Sequence, residues 1–487
     1  MKVILVADFG SSNVRVHAID VENGDIVVQH SVRYPLLSPR PGYYELDPKE
    51  MWNNSVICMR ECLKKLKNES QICAISFSHI GSSLVPLDEN FEPTYNCIVG
   101  MDSRAGLEGI ELYDLFINNN WTIPETSFTF ADISPMAKIL YLRKHFPEST
   151  AQTKYYVSIQ QYILKCLGLP LIWDASIAGS HACYNNKKRI WADEVLNAVG
   201  LDIEHLGKVV NSNEVIGEIK YYGDVALPYS IPVIIGGHDA VMGTIGLGVY
   251  DELEDVVAEV TGSVDVFCFL MNNVVTFTEE QQSSVRDGSL LMYEPGPLNG
   301  TTMCLSGYKT AGALLEWYLR EIHGSTQENP YLELWSNVTL DGKSKVFVNP
   351  NFASNKGIIH GLDLSITKYD IYKACIEALT FESYLLLKNC EEMKSGECNR
   401  VRIGGGHAQA EQWVQLRADV SGKVYERTKN MEVSALGTAV LAAHGVGLYD
   451  SIHNAVKNMV KVRDCFIPNS SLHELYTEQF DNYLKLF

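Results

Sequence analysis

Three short stretches of this 487-residue chain combine glycine, small hydroxyl residues and a carboxylate in ways that suit phosphate chemistry. The first is Asp8-Phe9-Gly10-Ser11-Ser12-Asn13-Val14-Arg15. Asp-Phe-Gly holds the metal of protein kinases, but there a glycine-rich loop, a strand lysine and a catalytic loop come before it. Only seven residues precede Asp8. With its flanks, the stretch is a bend between the β-branched run Val3 to Val6 and the alternating Val14, Val16 and Ala18, which predicts a β-hairpin. Such a bend can aim backbone N–H groups and hydroxyls at a phosphate while the carboxylate holds water around a metal. A plain surface hairpin, with Asp8 closing its own turn, fits the same residues.

The second stretch is SIPVIIGGHDAVMGTIGLG, Ser230 to Gly248. A buried strand leads into Gly236, Gly237, His238 and Asp239 and then into a small-residue helix. At a helix N-terminus the macrodipole and the free amides favour an ionised Asp239, a ready but weak proton acceptor. Helix capping is the alternative role for that carboxylate. The third stretch is RVRIGGGHAQAEQW, Arg400 to Trp413. Its glycines follow a strand and open a helix, where a nucleotide can meet backbone N–H groups. Three glycines suit close approach of a ligand to backbone, and a flexible turn is the competing reading.

These stretches need elements to hold them. Ile72 to Phe77 reads as a strand, and Ser134 to Glu148 as a helix with Met136, Ile139, Leu140, Leu142 and Arg143 at helical spacing. The opening theme returns in VVAEVTGSVDVF, Val256 to Phe267, again a β-branched run, a small-residue bend and an alternating run. A repeat about 250 residues apart predicts two similar domains, each contributing a small hairpin. The amphipathic HELYTEQFDNYLKLF at the end reads as a closing helix.

With 46% hydrophobic and 20% charged residues, the chain is of ordinary globular composition and long enough for two or three domains. Its formal charge of -19 disfavours nucleic acid and anionic lipid as partners. The basic NNKKR near Lys187 reads as a solvated turn. The longest apolar stretches, such as Ile231 to Ile235, are strand-length, far short of the ~20 residues of a membrane span. Lys2 is followed by a strand pattern, so no signal peptide is expected. The 12 cysteines are scattered without a Cys-x-x-Cys pair, which predicts reduced thiols in a cytoplasmic protein. No Walker loop, Gly-x-Gly-x-x-Gly fingerprint, His-Glu-x-x-His or Gly-x-Ser-x-Gly elbow is present, so a nucleotide would be handled by another architecture.

Taken in order from Val3 to about Tyr449, the segments resemble the FGGY carbohydrate kinase family. Its first phosphate motif is matched by Asp8, Gly10, Ser11 and Arg15, and a second stretch by GYYELDPKEMW, Gly42 to Trp52. The sugar-side segment keeps Asp102 and Arg104 but has Gly100 where an aromatic usually stands. Gly236 to Asp239 match the catalytic motif. Thr261, Gly262 and Ser263 are similar to the second phosphate loop with its first two residue types exchanged. SGYKTAGALLEWY, Ser306 to Tyr318, resembles a nucleotide-side helix through Gly307 and Gly312, and Gly404, Gly405 and Gly406, with Gln409 after them, resemble the adenosine glycines. SALGTAVLAAHGVG, Ser434 to Gly447, looks like the family's small-residue helix.

The resemblance implies an α/β protein of two similar domains of the actin/hexokinase-type (ribonuclease H-like) ATPase fold around a central cleft. Residues 1–250 are expected to bind sugar and carry catalysis, and residues 251–487 to bind nucleotide and supply closing helices. It implies ATP and Mg²⁺, with Asp239 as base and Asp8 on the metal side. Gly10, Ser11, Ser12, Asn13, Arg15, Thr261, Gly262 and Ser263 are then phosphate contacts, and His79, Ser82, Asp102, Arg104 and His238 face the sugar. The chain departs from xylulose kinases, which usually read Gln-Met-His-Gly where it has Ile80, Gly81, Ser82 and Ser83, and it lacks the Arg-Glu pair of glycerol kinases. Polyol discrimination depends on satisfying each hydroxyl, so such exchanges change the substrate. A ketose or related polyol, xylulose-, fuculose- or ribulose-like, is expected. A glycerol- or erythritol-type kinase, a non-transferring ATP-binding switch or sensor, and a plain sugar-binding protein are the alternatives, since fold alone does not give function. A homodimer stays open as an assembly, dimers being common among soluble enzymes.

Overall fold

The computed structural model describes residues 1–67, 69–119, 133–181, 183–250, 255–262, 265–273, 275, 290–308, 311–324, 330–352 and 356–487. The chain divides into two compact units. The first comprises residues 1–252, 270–304 and 432–461, and the second residues 253–269, 305–431 and 462–487. Both are α/β.

The first unit is organised by a sheet of order Val215–Tyr222, Val225–Ile234, Gln71–His79, Lys2–Phe9, Asn13–Asp20, Ile26–Arg33, with the short Gly237–His238 also paired to Gln71–His79. Lys2–Phe9 lies inside this sheet, antiparallel to Asn13–Asp20 and parallel to Gln71–His79. Covered on both faces, it buries Val3, Ile4, Leu5, Val6 and Ala7 completely, which is why it reads as an unbroken apolar run. Each fully buried aliphatic side chain of this kind contributes roughly 1.5–3 kcal/mol. Helix Pro48–Lys65 packs on the hairpin strands. Asp47 caps it by accepting from the amides of Lys49 at 2.8 Å and Glu50 at 3.3 Å, and Pro48 stands at the first turn, where its missing N–H does no harm.

The second unit repeats the device. Val256–Thr261 is antiparallel to Asp265–Met271 and parallel to Arg400–Gly405, and Val424–Thr428 and Val462–Phe466 continue the sheet. The 27-residue helix Lys368–Lys394, entered through a Thr367/Asp370 capping box, packs with Glu411–Ser421. The closing amphipathic stretch forms Ser470–Leu486, whose Tyr476, Phe480 and Tyr483 bury in this unit's core. The expected helix Ser134 to Glu148 runs Pro135–His145, and a separate Pro147–Ala151 turn follows because Pro147 ends the first helix at Phe146. Among the described residues no helix is long and apolar enough to cross a membrane.

Candidate active site

Strand register assembles the chemistry of the first unit. Asp8 pairs with Arg15 across the hairpin and with Ser78 on the parallel neighbour, and Ser78 pairs in turn with Gly237. One row across the sheet therefore carries Arg15, Asp8, Ser78 and Gly237, at the carboxyl ends of the parallel strands, where open α/β sheets bind ligands. The bend beside it is braced by Tyr34, whose hydroxyl donates to the carbonyls of Gly10 and Asn13, while the Gly10 amide donates to Asn13 O at 3.0 Å. Among the described residues no acceptor engages the amides of Ser11 or Ser12, leaving two donors on the bend.

Asp8 is partly buried, and its surroundings oppose its charge. Burial raises its pKa from the ordinary 3.8 to about 6, Arg15 pulls the other way, and Asp239 and Glu432 add repulsion. Arg15 does not point freely outward. Its Nη1 lies 2.5 Å from Glu432 Oε2. His17 completes the cluster, fully buried, with its pKa pushed down by burial and by the Arg15 charge to about 3. One donor atom each from Asp8, His17 and Glu432 lies within 4.8 Å of the others. Asp8 and Glu432 share the Arg15 guanidinium, and Asp239 is near enough to add its charge to that of Asp8. That surplus of negative oxygen donors suits a hard divalent cation, which keeps several waters and takes few protein ligands.

Asp239 is placed by a turn that only glycine can make. Gly236 has φ +69°, and a Cβ there would lie 1.8 Å from Phe77 O. The chain then enters Gly237–His238 and helix Asp239–Gly246. The His238 amide donates to Ser176 Oγ at 3.0 Å. Behind the helix lies Val433–Gly445, whose Ser434 hydroxyl donates to the Asp239 carbonyl at 3.0 Å. Added Cβ atoms at Gly246 or Gly437 would fall within 1.9 Å or 1.8 Å of the other helix's backbone, so small residues let the two helices touch. The Asp239 side chain is 37% exposed. Its Oδ1 accepts the Ala240 amide at 2.8 Å and lies 3.2 Å from His238 Nε2, while Oδ2 has no protein partner among the described residues.

His238 also places Nδ1 2.9 Å from Glu294 Oε2. Burial opposes its protonation, but the Glu294 charge and the bonds to Asp239 and Glu294 outweigh burial and hold its pKa well above the ordinary 6.5. His79, in register with His238 and stacked on Phe9, is the opposite case: fully buried, without a hydrogen bond among the described residues, and pushed down to about 3. Ser82 is buried in a left-handed conformation, φ 49°, and its amide donates to Ser180 Oγ at 3.2 Å. Asp102 and Arg104 bond each other. Arg104 Nη2 lies 2.7 Å from Asp102 Oδ2 and 2.8 Å from Glu45 Oε1, all three are buried, and the guanidinium sits 4.2 Å over the Tyr43 ring.

In the second unit, register aligns Asp265, Thr261 and Gly405. Gly405 has φ +95°, and a Cβ there would meet Thr261 O at 2.0 Å. Thr261 Oγ1 donates to Gly404 O at 2.8 Å and accepts the His407 amide at 3.1 Å, tying the hairpin bend to the glycine turn. Gly312, opening helix Gly312–Tyr318, donates its amide to Gly262 O at 3.3 Å, so Gly262, Gly312 and Gly404 to Gly406 gather around one bend. Gly307 is buried in strand Thr302–Tyr308, and Gln409 is exposed in a single 3₁₀ turn that separates the glycines from helix Glu411–Ser421. Ser263 lies outside the described residues, as do Lys309 and Thr310. Beneath the bend, Arg417 is buried between Glu259, Ser383 and Asp265, and Asp265 meets His407 Nδ1 at 3.1 Å.

Sequence reasoning missed Glu432, His17, Glu294, Asp265 and Arg417. His17 had a usable signal, since hairpin alternation puts it on the same face as Arg15. Glu432 and Glu294 had none, being brought to the site from segments distant in sequence.

Models of the FGGY family of carbohydrate kinases match the chain in two parts, the N-terminal domain over residues 3–246 and the C-terminal domain over residues 295–446. Similar curated proteins include a xylulose kinase of Staphylococcus epidermidis, 24% identical over 100% of this chain and 96% of the relative. A gluconokinase of Bacillus subtilis is 25% identical over 94% of this chain and 90% of its own. Among solved structures, a ligand-bound xylulose kinase from Lactobacillus acidophilus superimposes with a TM-score of 0.85 at 20% identity, covering 100% of this chain and 98% of that one.

Proposed function

The chain belongs to the FGGY family of carbohydrate kinases, and on that premise we propose that it moves the γ-phosphoryl group of ATP to a hydroxyl of a ketose or related polyol with Asp239 as the base. It is a phosphotransferase with an alcohol acceptor. The observation that carries the residue assignment is the state of Asp239, with Oδ1 engaged by the Ala240 amide and His238 and Oδ2 without a partner among the described residues, on a 37% exposed side chain. In the step itself the acceptor O–H bond breaks as its proton passes to Oδ2. The acceptor oxygen bonds the γ-phosphorus, and the bond to the β–γ bridging oxygen breaks to release ADP. Phosphoryl transfer needs little covalent help, so one oriented carboxylate and fixed phosphate donors are enough.

The bend Gly10 to Asn13 and Arg15 are the phosphate side of the first unit, and Thr261, Gly262 and Ser263 that of the second. Gly307, Gly312, Gly404 to Gly406 and Gln409 receive the nucleotide. Asp8, with Glu432 beside it, would hold Mg²⁺ through water, and when bound the ion neutralises phosphate charge. Ser82 and His238 face the acceptor, with buried His79 packed beside His238 and with Asp102 and Arg104 holding the wall of that region. The relatives act by their names on xylulose and on gluconate at nearly equal identity; a xylulose- or fuculose-type ketose leads, although the Ile80 to Ser83 segment departs from the xylulose-kinase pattern.

The test is ADP release from Mg-ATP across ketoses, aldoses, polyols and sugar acids, with Asp239→Ala alongside. Turnover on a ketose, lost by at least about 10³-fold in the variant while ATP still binds, is expected. Full turnover in the variant removes Asp239 from its role.

A further inference from the structure

A buried carboxylate stands behind the proposed base without a role in the step just written. Glu294, at the end of strand Leu290–Pro295, is 0% exposed. Its Oε2 lies 2.9 Å from His238 Nδ1, and its Oε1 is buried with no partner among the described residues. A carboxylate taken fully out of water is strongly unfavourable unless a cation answers it. Among the described residues His238 is the group that does so. On the other side of the ring, Nε2 lies 3.2 Å from Asp239 Oδ1.

We infer that Glu294 is a positioning residue for the transfer: acting through His238, it holds Asp239 with Oδ1 engaged and Oδ2 turned to the acceptor hydroxyl. This rests on the reading of Asp239 as base. The imidazole is fixed on three sides, by Glu294, by Asp239 and by the bare backbone of Gly81, where a Cβ would lie 2.2 Å from Nε2. The His238 amide bond to Ser176 Oγ anchors the ring's own backbone. An imidazole held this way can present one N–H to Asp239 in a single direction, so the freedom of the carboxylate about its terminal bond is removed before substrate arrives. The charges facing the ring are Glu294 and Asp239. Asp8, one strand beyond Gln71–His79, is near enough to Asp239 to feel its charge, Asp174 packs against Gly237, and His79 beside the ring is held neutral by burial. Glu294 thus supplies the second negative charge that keeps His238 protonated, and two N–H donors are available only in that form.

The experiment is steady-state kinetics of Glu294→Gln, which keeps size and can still accept from Nδ1 but loses the charge. Expected is a kcat lower by about tenfold or more with KM for ATP unchanged. An alkaline decline absent from the wild-type kcat profile should also appear, because without the Glu294 charge that raises it His238 gives up its proton at lower pH. A purely structural role would lower stability without creating that limb. Glu294→Asp, which keeps the charge but shortens the reach, should lower kcat and leave the profile flat, and it serves equally if the glutamine variant does not fold. Wild-type kcat with a flat profile in Glu294→Gln overturns the inference. Asp239→Asn, run beside it, separates the two readings: full turnover there sinks the base assignment, whereas a dead Asp239→Asn with an unaffected Glu294→Gln sinks only the role of Glu294.

Discussion

Replacing Asp8 by asparagine should make the protein more stable and less active at once. In the folded chain the Asp8 pKa is raised by burial from the ordinary 3.8 to about 6. The folded state therefore binds more protons than the unfolded state between these values. By linkage, wild-type stability falls as pH rises from about 4 to about 6 and is level above that range. At about 1.4 kcal/mol per pH unit, the ionised carboxylate destabilises the fold at pH 8 by about 3 kcal/mol. Asparagine has the shape of the neutral acid and carries no such penalty. Asp8→Asn is expected to gain about 3 kcal/mol at pH 8 in EDTA, and only about 0.5 kcal/mol at pH 4, where Asp8 is protonated in the folded state and partly protonated in the unfolded one. Urea unfolding followed by tryptophan fluorescence at the two pH values measures both differences, since Trp52, Trp173 and Trp191 lie in the same unit. Turnover of the variant should collapse, because the charge that opposes folding is the one offered to the metal. An unchanged stability at pH 8, or a gain of equal size at pH 4, would refute the view that burial and neighbouring carboxylates strain this group.

Adjacent glycines should respond in different ways. Gly405→Ala puts a Cβ 2.0 Å from Thr261 O at a left-handed φ, so thermal melting should show a loss of about 3 kcal/mol or more. Gly406 has open space around its Cβ position, so Gly406→Ala should melt as wild type yet bind ATP about tenfold more weakly by calorimetry if the nucleotide lies against that backbone; unchanged affinity would remove Gly406 from the site. Arg104→Ala strips the cation from buried Asp102 and Glu45 and should cost about 3–5 kcal/mol in unfolding free energy, with Arg104→Lys only partly restoring it because the bidentate fork is lost. A change confined to the sugar KM would instead make Arg104 a substrate contact alone.

The local elements were legible in the sequence because each has a local cause. Val3 to Val6 and Val14 to Ala18 become strands through β-branching and alternation, Asp239 opens its helix at a Gly-Gly turn, and Gly405 is required where a left-handed bend meets another strand. Nothing local distinguishes a catalytic carboxylate from a capping one, so the chemistry became readable only through the order of many motifs along the chain. Tertiary structure alone decided the electrostatics. Arg15, read as a phosphate contact, meets Glu432, which is 417 residues away. His238 is caught between Asp239 and Glu294, Asp102 turns to Arg104 and Glu45, and Asp8 acquires neighbours that oppose its charge. Charges act through space over a few ångströms, and burial removes the water that would screen them. Which charges meet is therefore fixed by strand register and packing, and sequence neighbours carry no trace of it.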